Sequence, residues 1–364
     1  MNILFTVFDI SNFGGVERVV ANLANAFSEV GYKVEILSFY QANQTISFYI
    51  NKKIKVHFLH TNISKFAFDE YMNSQILRKF FYRNFYKHYL NMRVHSMAKK
   101  FDITIANDNL YSPFLKRKNV RYIRIIHETF KKYRSRNKYF HTLVVLTKQD
   151  LLTYQKYYKR DIVLIPNFLP SVSNKNTDLS QKVVLSAGRF SEEKGFLRLI
   201  DIWAFVQEKF KSSAPPPLHS WKLIIVGDGE MRDEIESKIK NLGLQDSIVL
   251  KPFTKDIESE YLAASIYAMA SHFEGFGMVL VEAGSYALPC IAFDVATGPS
   301  DIIENNKSGY LIQDNDLHTY AHKLIELMSD ENKRKTMGET AKARVAHKFS
   351  KEAIMPLWEE VLQR

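Results

Sequence analysis

Two glutamates, Glu274 and Glu282, stand out for chemistry in the stretch Ser271-His-Phe-Glu-Gly-Phe-Gly-Met-Val-Leu-Val-Glu-Ala283. The apolar run before them, Ser265-Ile-Tyr-Ala-Met-Ala270, reads as a buried parallel strand, and Met278 to Ala287 as a helix whose one breaker is Gly284. Glu274 then stands in the loop at the strand's carboxyl end. Gly275 and Gly277 let backbone amides approach an anion, the helix amino terminus favours phosphate, and Glu282 is set to accept hydrogen bonds from hydroxyls. That combination suits a sugar nucleotide. On spacing alone, however, a solvated carboxylate followed by an ordinary amphipathic helix is the better account.

The elements that must position these residues alternate along the chain. Strands are expected at Ile3 to Phe8, Lys33 to Leu37, Ile54 to Phe58, Ile103 to Ala106, Tyr122 to Ile126 and Leu143 to Leu146, with a helix from about Val16 to Val30. Ile162-Val-Leu-Ile-Pro-Asn167 leads out to a polar linker, Ser171 to Thr177. A second series follows at Val183 to Ser186, Lys222 to Val226, Ile248 to Leu250, Ile266 to Ala270 and Cys290 to Phe293. The stretch from Ser212 to Leu218 reads as an irregular loop, and Ser350 to Gln363 as a last helix capped by Ser350. At 364 residues the chain exceeds what a single core sustains, and 46% hydrophobic content fills two.

Several ordered motifs sharpen this outline: Gly14-Gly15-Val-Glu-Arg-Val, Ser186-Ala-Gly-Arg-Phe-Ser-Glu-Glu-Lys-Gly195, Val226-Gly-Asp-Gly-Glu230, the Glu274/Glu282 element, and Gly298-Pro-Ser-Asp-Ile-Ile303. With them the chain resembles, over nearly its whole length, the retaining GT-B glycosyltransferases of family four. The resemblance implies an α/β fold of two Rossmann-like, doubly wound parallel-sheet domains facing across a cleft. Residues 1–168 would form the acceptor-binding domain, 169–349 the nucleotide-sugar domain, and 350–364 a helix crossing back to the first.

By the same resemblance, Arg189 and Lys194 are ligands of the donor diphosphate, two fixed positive charges that neutralise the leaving group without metal. Glu282 holds the ribose hydroxyls, and Glu274 the donor-sugar hydroxyls. The amides of Gly275, Phe276 and Gly277 approach sugar and phosphates, and Gly227 joins the donor-binding set. Gly14 and Gly15 present amides to the same diphosphate. His127, in Ile125-Ile-His-Glu128, matches a histidine beside the donor sugar, although a lone histidine after an apolar strand is as readily structural. Asn107 and Asp108 end a strand and are thinner candidates for the acceptor side.

The reaction implied is transfer of a hexosyl or N-acetylhexosaminyl group with retention, by front-side attack in which the leaving phosphate oxygen helps to take the acceptor proton. No dedicated general base and no cofactor or metal is expected. Asp314-Asn-Asp316 reads as a helix cap rather than a metal site. Asp294 to Ile303 looks like the version of this segment in UDP-using bacterial enzymes, so the donor expected is a UDP-sugar. The acceptor expected is a saccharide, lipid-linked, within surface glycan assembly such as lipopolysaccharide, O-antigen or capsule. Two alternatives stay open: a non-catalytic sugar-nucleotide-binding protein or partner subunit, and a phosphorylase or epimerase of the same architecture.

Charge adds a partner. Residues 71–140 hold 17 Lys or Arg against three acidic residues, a local balance of +14 that leaves the rest at −3. Tyr71 to Lys100 contains no acidic residue and interleaves Phe81 and Phe85 with Arg78, Lys79, Arg83 and Lys87. Read as a helix, this surface suits an anionic membrane, with saccharide acceptors carried on lipid alongside; the plainer account is a domain helix with a wet basic face. Nucleic acid is not expected, since no binding motif accompanies the patch. No apolar run of about 18 residues spans a bilayer, Met1 to Phe8 lacks the marks of a signal peptide, and the lone Cys290 reads as a core residue. The expected location is the cytoplasm, peripheral on the inner face of the cytoplasmic membrane.

Overall fold

The computed structural model describes residues 1–213 and 220–364. The chain divides into two compact units: Met1–Pro170 with Met355–Arg364, and Ser171–Ile354.

The first unit is a seven-stranded parallel sheet of β1 (Asn2–Val7), β2 (Lys33–Ser38), β3 (Lys55–Phe58), β4 (Ile103–Ala106), β5 (Arg121–Ile126), β6 (Thr142–Val145) and β7 (Asp161–Leu164). Its order is β3-β2-β1-β4-β5-β6-β7. The segment read as an exit at Ile162 is thus the edge strand β7, paired to β6 along Thr142–Val145. Fully buried central strands read as apolar runs because both faces are covered, and β1 and β4 fit that rule. The helices of this unit are α1 (Gly15–Glu29), α2 (Lys65–Asn73), α3 (Ile76–Asn84), α4 (Tyr86–Ala98) and α5 (Lys148–Tyr157).

The basic stretch from Tyr71 is therefore not one helix: it is broken at Ser74-Gln75 and at Phe85, whose φ of −118° leaves the helical range. The breaks let α2 and α4 put Phe68, Met72, Tyr86, Leu90 and Val94 into the core. In α3 no residue is fully buried, and Tyr82 alone packs against the core from a half-buried position.

The second unit holds β8 (Val183–Ala187), β9 (Lys222–Val226), β10 (Ile248–Lys251), β11 (Ile266–Met269), β12 (Cys290–Asp294) and β13 (Gly309–Gln313), all parallel, in the order β10-β9-β8-β11-β12-β13. Around them lie α6 (Phe196–Ser213), α7 (Arg232–Asn241), α8 (Ile257–Leu262), α9 (Met278–Ser285), α10 (Pro299–Ile302), α11 (Leu317–Ser329) and α12 (Glu331–Lys348). Ser212 and Ser213 close α6 instead of opening a loop, and the remainder of the expected loop, 214–218, lies outside the described residues. The linker is tied down at its end: the Thr177 amide donates to the Tyr286 carbonyl at 2.9 Å, and its hydroxyl to the Leu262 carbonyl at 3.1 Å. Cys290 is buried on β12, and burial pushes its thiol up to about 12, as suits a core residue.

In both sheets the chain winds outward in opposite directions from a central pair, β1/β4 in one and β8/β11 in the other. Loops leaving the carboxyl ends of such a pair diverge and open a crevice, the usual ligand site of open α/β sheets.

The last helix, α13 (Lys351–Gln363), opens with Ser350 accepting a hydrogen bond from the Ala353 amide at 3.2 Å. From Met355 onward it belongs to the first unit, where Trp358 meets Phe27 of α1 edge-on at 5.7 Å and the Val361 carbonyl accepts from Arg121. Trp358 is 3% exposed. Replacing it by alanine removes a fully packed indole, so Trp358→Ala is expected to cost about 3–5 kcal/mol, read as a lowered urea midpoint of the first unit.

Candidate functional site

The second sheet's central pair carries the charged cluster. After β8 the chain runs Gly188-Arg189-Phe190-Ser191 into a short 3-10 turn at Glu192–Lys194 and then α6. Gly195 joins turn to helix at φ +64°, where a Cβ would collide with the Ala270 carbonyl of the loop after β11. Only glycine lets the two loops approach so closely. Across this junction the Lys194 ammonium meets Glu274 Oε1 at 2.7 Å, and the Ser271 hydroxyl donates to the same oxygen at 2.7 Å.

Glu274 is only 8% exposed, so the solvated-carboxylate reading is set aside. A carboxylate this buried persists only with partners, and Lys194 and Ser271 supply them. Its backbone carbonyl accepts from the Thr297 hydroxyl at 2.5 Å.

Arg198, which the sequence reading passed over, holds this loop from beneath. It donates to the Ala270 and Ser271 carbonyls and pairs with Asp314 at 2.8 Å, and its guanidinium lies over the Phe293 ring. Asp316, two residues on, caps α11 by accepting from the Thr319 amide, so the Asp314-Asn-Asp316 segment is spent on structure. Among the described residues no group of His, Cys, Asp and Glu side chains is placed to hold a metal ion.

The remaining second-unit candidates surround Glu274. Arg189 is exposed at the β8 loop. Gly227, directly after β9, has no room for a Cβ beside the Gly188 carbonyl, and the Phe190 amide donates to the Asp228 carbonyl, so the loops after β8 and β9 are stitched together. Gly275, Phe276 and Gly277 lead into α9, with Gly277 at φ +94° as its N-cap. Phe276 is buried, its ring edge-on to Phe349, so what it offers a ligand is backbone. Glu282 is also buried and accepts from the Tyr261 hydroxyl at 3.0 Å, a partner that sequence alone did not indicate.

The first-unit candidates lie at the carboxyl ends of its own strands. Gly14 caps α1 at φ −142°, a conformation open to any residue; glycine there contributes room, since a Cβ would meet the Glu17 carboxylate. Gly15 has open space around it. Asp108 is not free to meet an acceptor: its carboxylate accepts from the Thr6 hydroxyl and from the Leu110 and Tyr111 amides, which ties β1 to the loop after β4.

His127 follows β5 and shares a hydrogen bond of 2.9 Å with Asn107 Oδ1. The Asn107 amide nitrogen donates to the Ile105 carbonyl, so its oxygen faces the ring and His127 Nε2 carries the proton. Nδ1 is left as an acceptor. Burial, and next the Arg124 guanidinium, hold the His127 imidazolium form down to about 3. An unfolded histidine titrates near about 6.5. Between these values the unfolded chain takes up a proton that the folded one refuses, so this group's contribution to stability falls as pH drops through that window. The His127 ring resonances are expected to stay fixed from about pH 8 to pH 5 in an NMR titration; a midpoint near that of a free histidine would show the ring to be solvated.

Arg78, Lys79, Phe81 and Arg83 lie on α3, Phe85 at its junction with α4, and Lys87 on α4. Ile76, Leu77, Phe80, Phe81 and Phe85 are all exposed among these cations.

Comparison with known proteins agrees with this geometry. Residues 171–344 match the family described as Glycosyl transferases group 1. The chain is 28% identical to the amylovoran biosynthesis glycosyltransferase AmsD of Erwinia amylovora, over 99% of each chain. It is 26% identical, over 94% of this chain and 93% of the other, to an undecaprenol-diphosphate-oligosaccharide alpha-1,4-N-acetyl-D-galactosaminyltransferase of Campylobacter jejuni. Among solved structures, a variant of S. aureus TarM in complex with Fondaparinux, alpha-GlcNAc-glycerol and UDP superposes with a TM-score of 0.77 at 16% identity, over 100% of both chains. With its two switch-point sheets the chain has the GT-B fold, and its second unit matches the Glycosyl transferases group 1 family.

Proposed function

We propose that this protein is a retaining, metal-independent glycosyltransferase of family four that moves a hexosyl or N-acetylhexosaminyl group from a UDP-sugar to a lipid-linked saccharide in bacterial surface glycan assembly. The observation that carries this reading is the Lys194–Glu274 pair at the β8/β11 switch point, a buried carboxylate and a cation held ready on facing loops. In the proposed reaction Arg189 and Lys194 meet the developing charge of the leaving diphosphate, and Glu274 orients donor-sugar hydroxyls. Glu282, steadied by Tyr261, accepts from the ribose, and the amides of Gly275, Phe276 and Gly277 line the donor. A neutral His127 with Nδ1 as acceptor suits a sugar hydroxyl and adds no positive charge beside a developing oxocarbenium ion. UDP is supported by the TarM complex, and a lipid-linked acceptor by the name of the Campylobacter relative.

The test is nucleotide release from a panel of UDP-, GDP- and ADP-sugars in EDTA. Release from one UDP-sugar is expected, falling about hundredfold or more in Glu274→Ala and in Lys194→Ala. Absence of both release and UDP binding would favour a non-catalytic subunit.

The proposal extends to location. No helix among the described residues is long and apolar enough to cross a membrane. The α3 surface, with Phe81 and Phe85 among Arg78, Lys79, Arg83 and Lys87, suits the headgroup layer of an anionic cytoplasmic leaflet, each cation adding about 1 kcal/mol. Cosedimentation with anionic vesicles is expected at low salt, lost in the quadruple variant of those cations to glutamine; equal sedimentation of the variant would sink the idea.

A further inference from the structure

Three guanidinium groups of the first unit converge on one neutral side chain. Asn109 follows β4, Arg124 lies on β5, and Arg134 and Arg136 stand at the short turn Ser135–Tyr139. Asn109 Oδ1 accepts from Arg124 Nη2 at 2.5 Å, from Arg134 Nη1 at 3.0 Å and from Arg136 Nη2 at 3.3 Å. Arg136 also donates to the Asn109 carbonyl.

An amide oxygen has two lone pairs, so three charged donors exceed what it can satisfy. Nearby carboxylates do not make up the difference. Asp108 is occupied by Thr6 and two backbone amides, and Glu128, 56% exposed, pairs with Arg134 and accepts from the Asn109 side-chain nitrogen at 3.2 Å. Arg124 is 4% exposed, and its Nε and Nη1 have no hydrogen-bond partner; the Nε of Arg136 has none either. Desolvation lowers both guanidinium pKa values, that of Arg124 to about 10.

Burying positive charge this way is costly unless an anion completes the site. A phosphate group has the oxygens to satisfy the fork of each arginine, where Asn109 offers one. Asn109, Arg134 and Arg136 are each partly exposed, which leaves that side open to solvent.

We propose that Arg124, Arg134 and Arg136 form an anion site that takes a phosphate or diphosphate group of the acceptor, with the Asn109 amide oxygen standing in for a phosphoryl oxygen. That the anion belongs to an acceptor rests on the transferase reading; the anion site itself does not.

The experiment is calorimetry on the full chain, titrating UDP to saturation and then geranyl diphosphate or, in parallel, glycerol 3-phosphate. One of these is expected to bind, about tenfold more weakly in Arg136→Gln and in Arg134→Gln, with UDP affinity unchanged. Arg136→Lys, which keeps the charge but not the fork, should fall between and control for folding. Tighter binding of geranyl diphosphate identifies an isoprenoid diphosphate as the source; tighter binding of glycerol 3-phosphate identifies a polyol phosphate. Binding undiminished in both glutamine variants, or none to the wild type, overturns the proposal. Failure to bind UDP would instead strike at the donor reading, because phosphate held by the Lys194 loop would not respond to Arg134 or Arg136.

Discussion

A carboxylate almost sealed from water needs partners for its oxygens, and Glu274 makes that requirement the organising constraint of the second unit. Its partner Lys194 comes from the neighbouring loop, so the two loops must hold a fixed spacing. That spacing depends on β8 and β11 lying side by side, on glycine at position 195, and on Arg198 gripping two carbonyls from below. Sheet order, a left-handed residue and a buried guanidinium thus act on one ion pair. Exchanging a side chain on the open face of either loop leaves the backbone contacts that set this geometry untouched.

The first unit solves the same topological problem with different chemistry. At its own central pair the tie is a hydroxyl to a carboxylate, Thr6 to Asp108, and the carboxylate is consumed in holding the chain. Its positive charge gathers one strand farther along, beside a histidine that stays neutral partly because of it. One sheet therefore presents a balanced pair at its switch point, and the other an excess of cation beyond it.

How much of this could be read from the chain depends on how local each signal is. Central parallel strands are short apolar runs, and the sequence marks nearly all of them; β7 and β13 escape because one is a half-exposed edge ending near Pro166 and the other is a short segment opening at Gly309. Glu274, Lys194 and Glu282 stand out only because they fall inside glycine-bearing motifs that resemble a known family; their spacing alone favours ordinary surface residues. Arg198 and Tyr261 are not, since their partners lie 72 and 21 positions away and are joined to them only by folding. The break of the basic stretch into three helices left no Gly or Pro as a marker. For the same reason Arg124, Arg134 and Arg136 register in the sequence only as part of a charge excess.

The helix α3 sets only Tyr82 against the core, its ring beside Phe68 and Tyr86 and its hydroxyl donating to Asp69, while its neighbours α2 and α4 are anchored there more deeply. A segment that sets one half-buried side chain against the core opens at little cost to the whole, because its local unfolding free energy is separate from that of the sheet. Its nine residues can therefore fray and re-form while the sheet stays intact. Apart from Tyr82 and Arg78, the residues of α3 are exposed and can be exchanged with little penalty in packing. The exposed apolar and basic side chains of α3 can thus vary without disturbing the loops that hold Lys194 and Glu274.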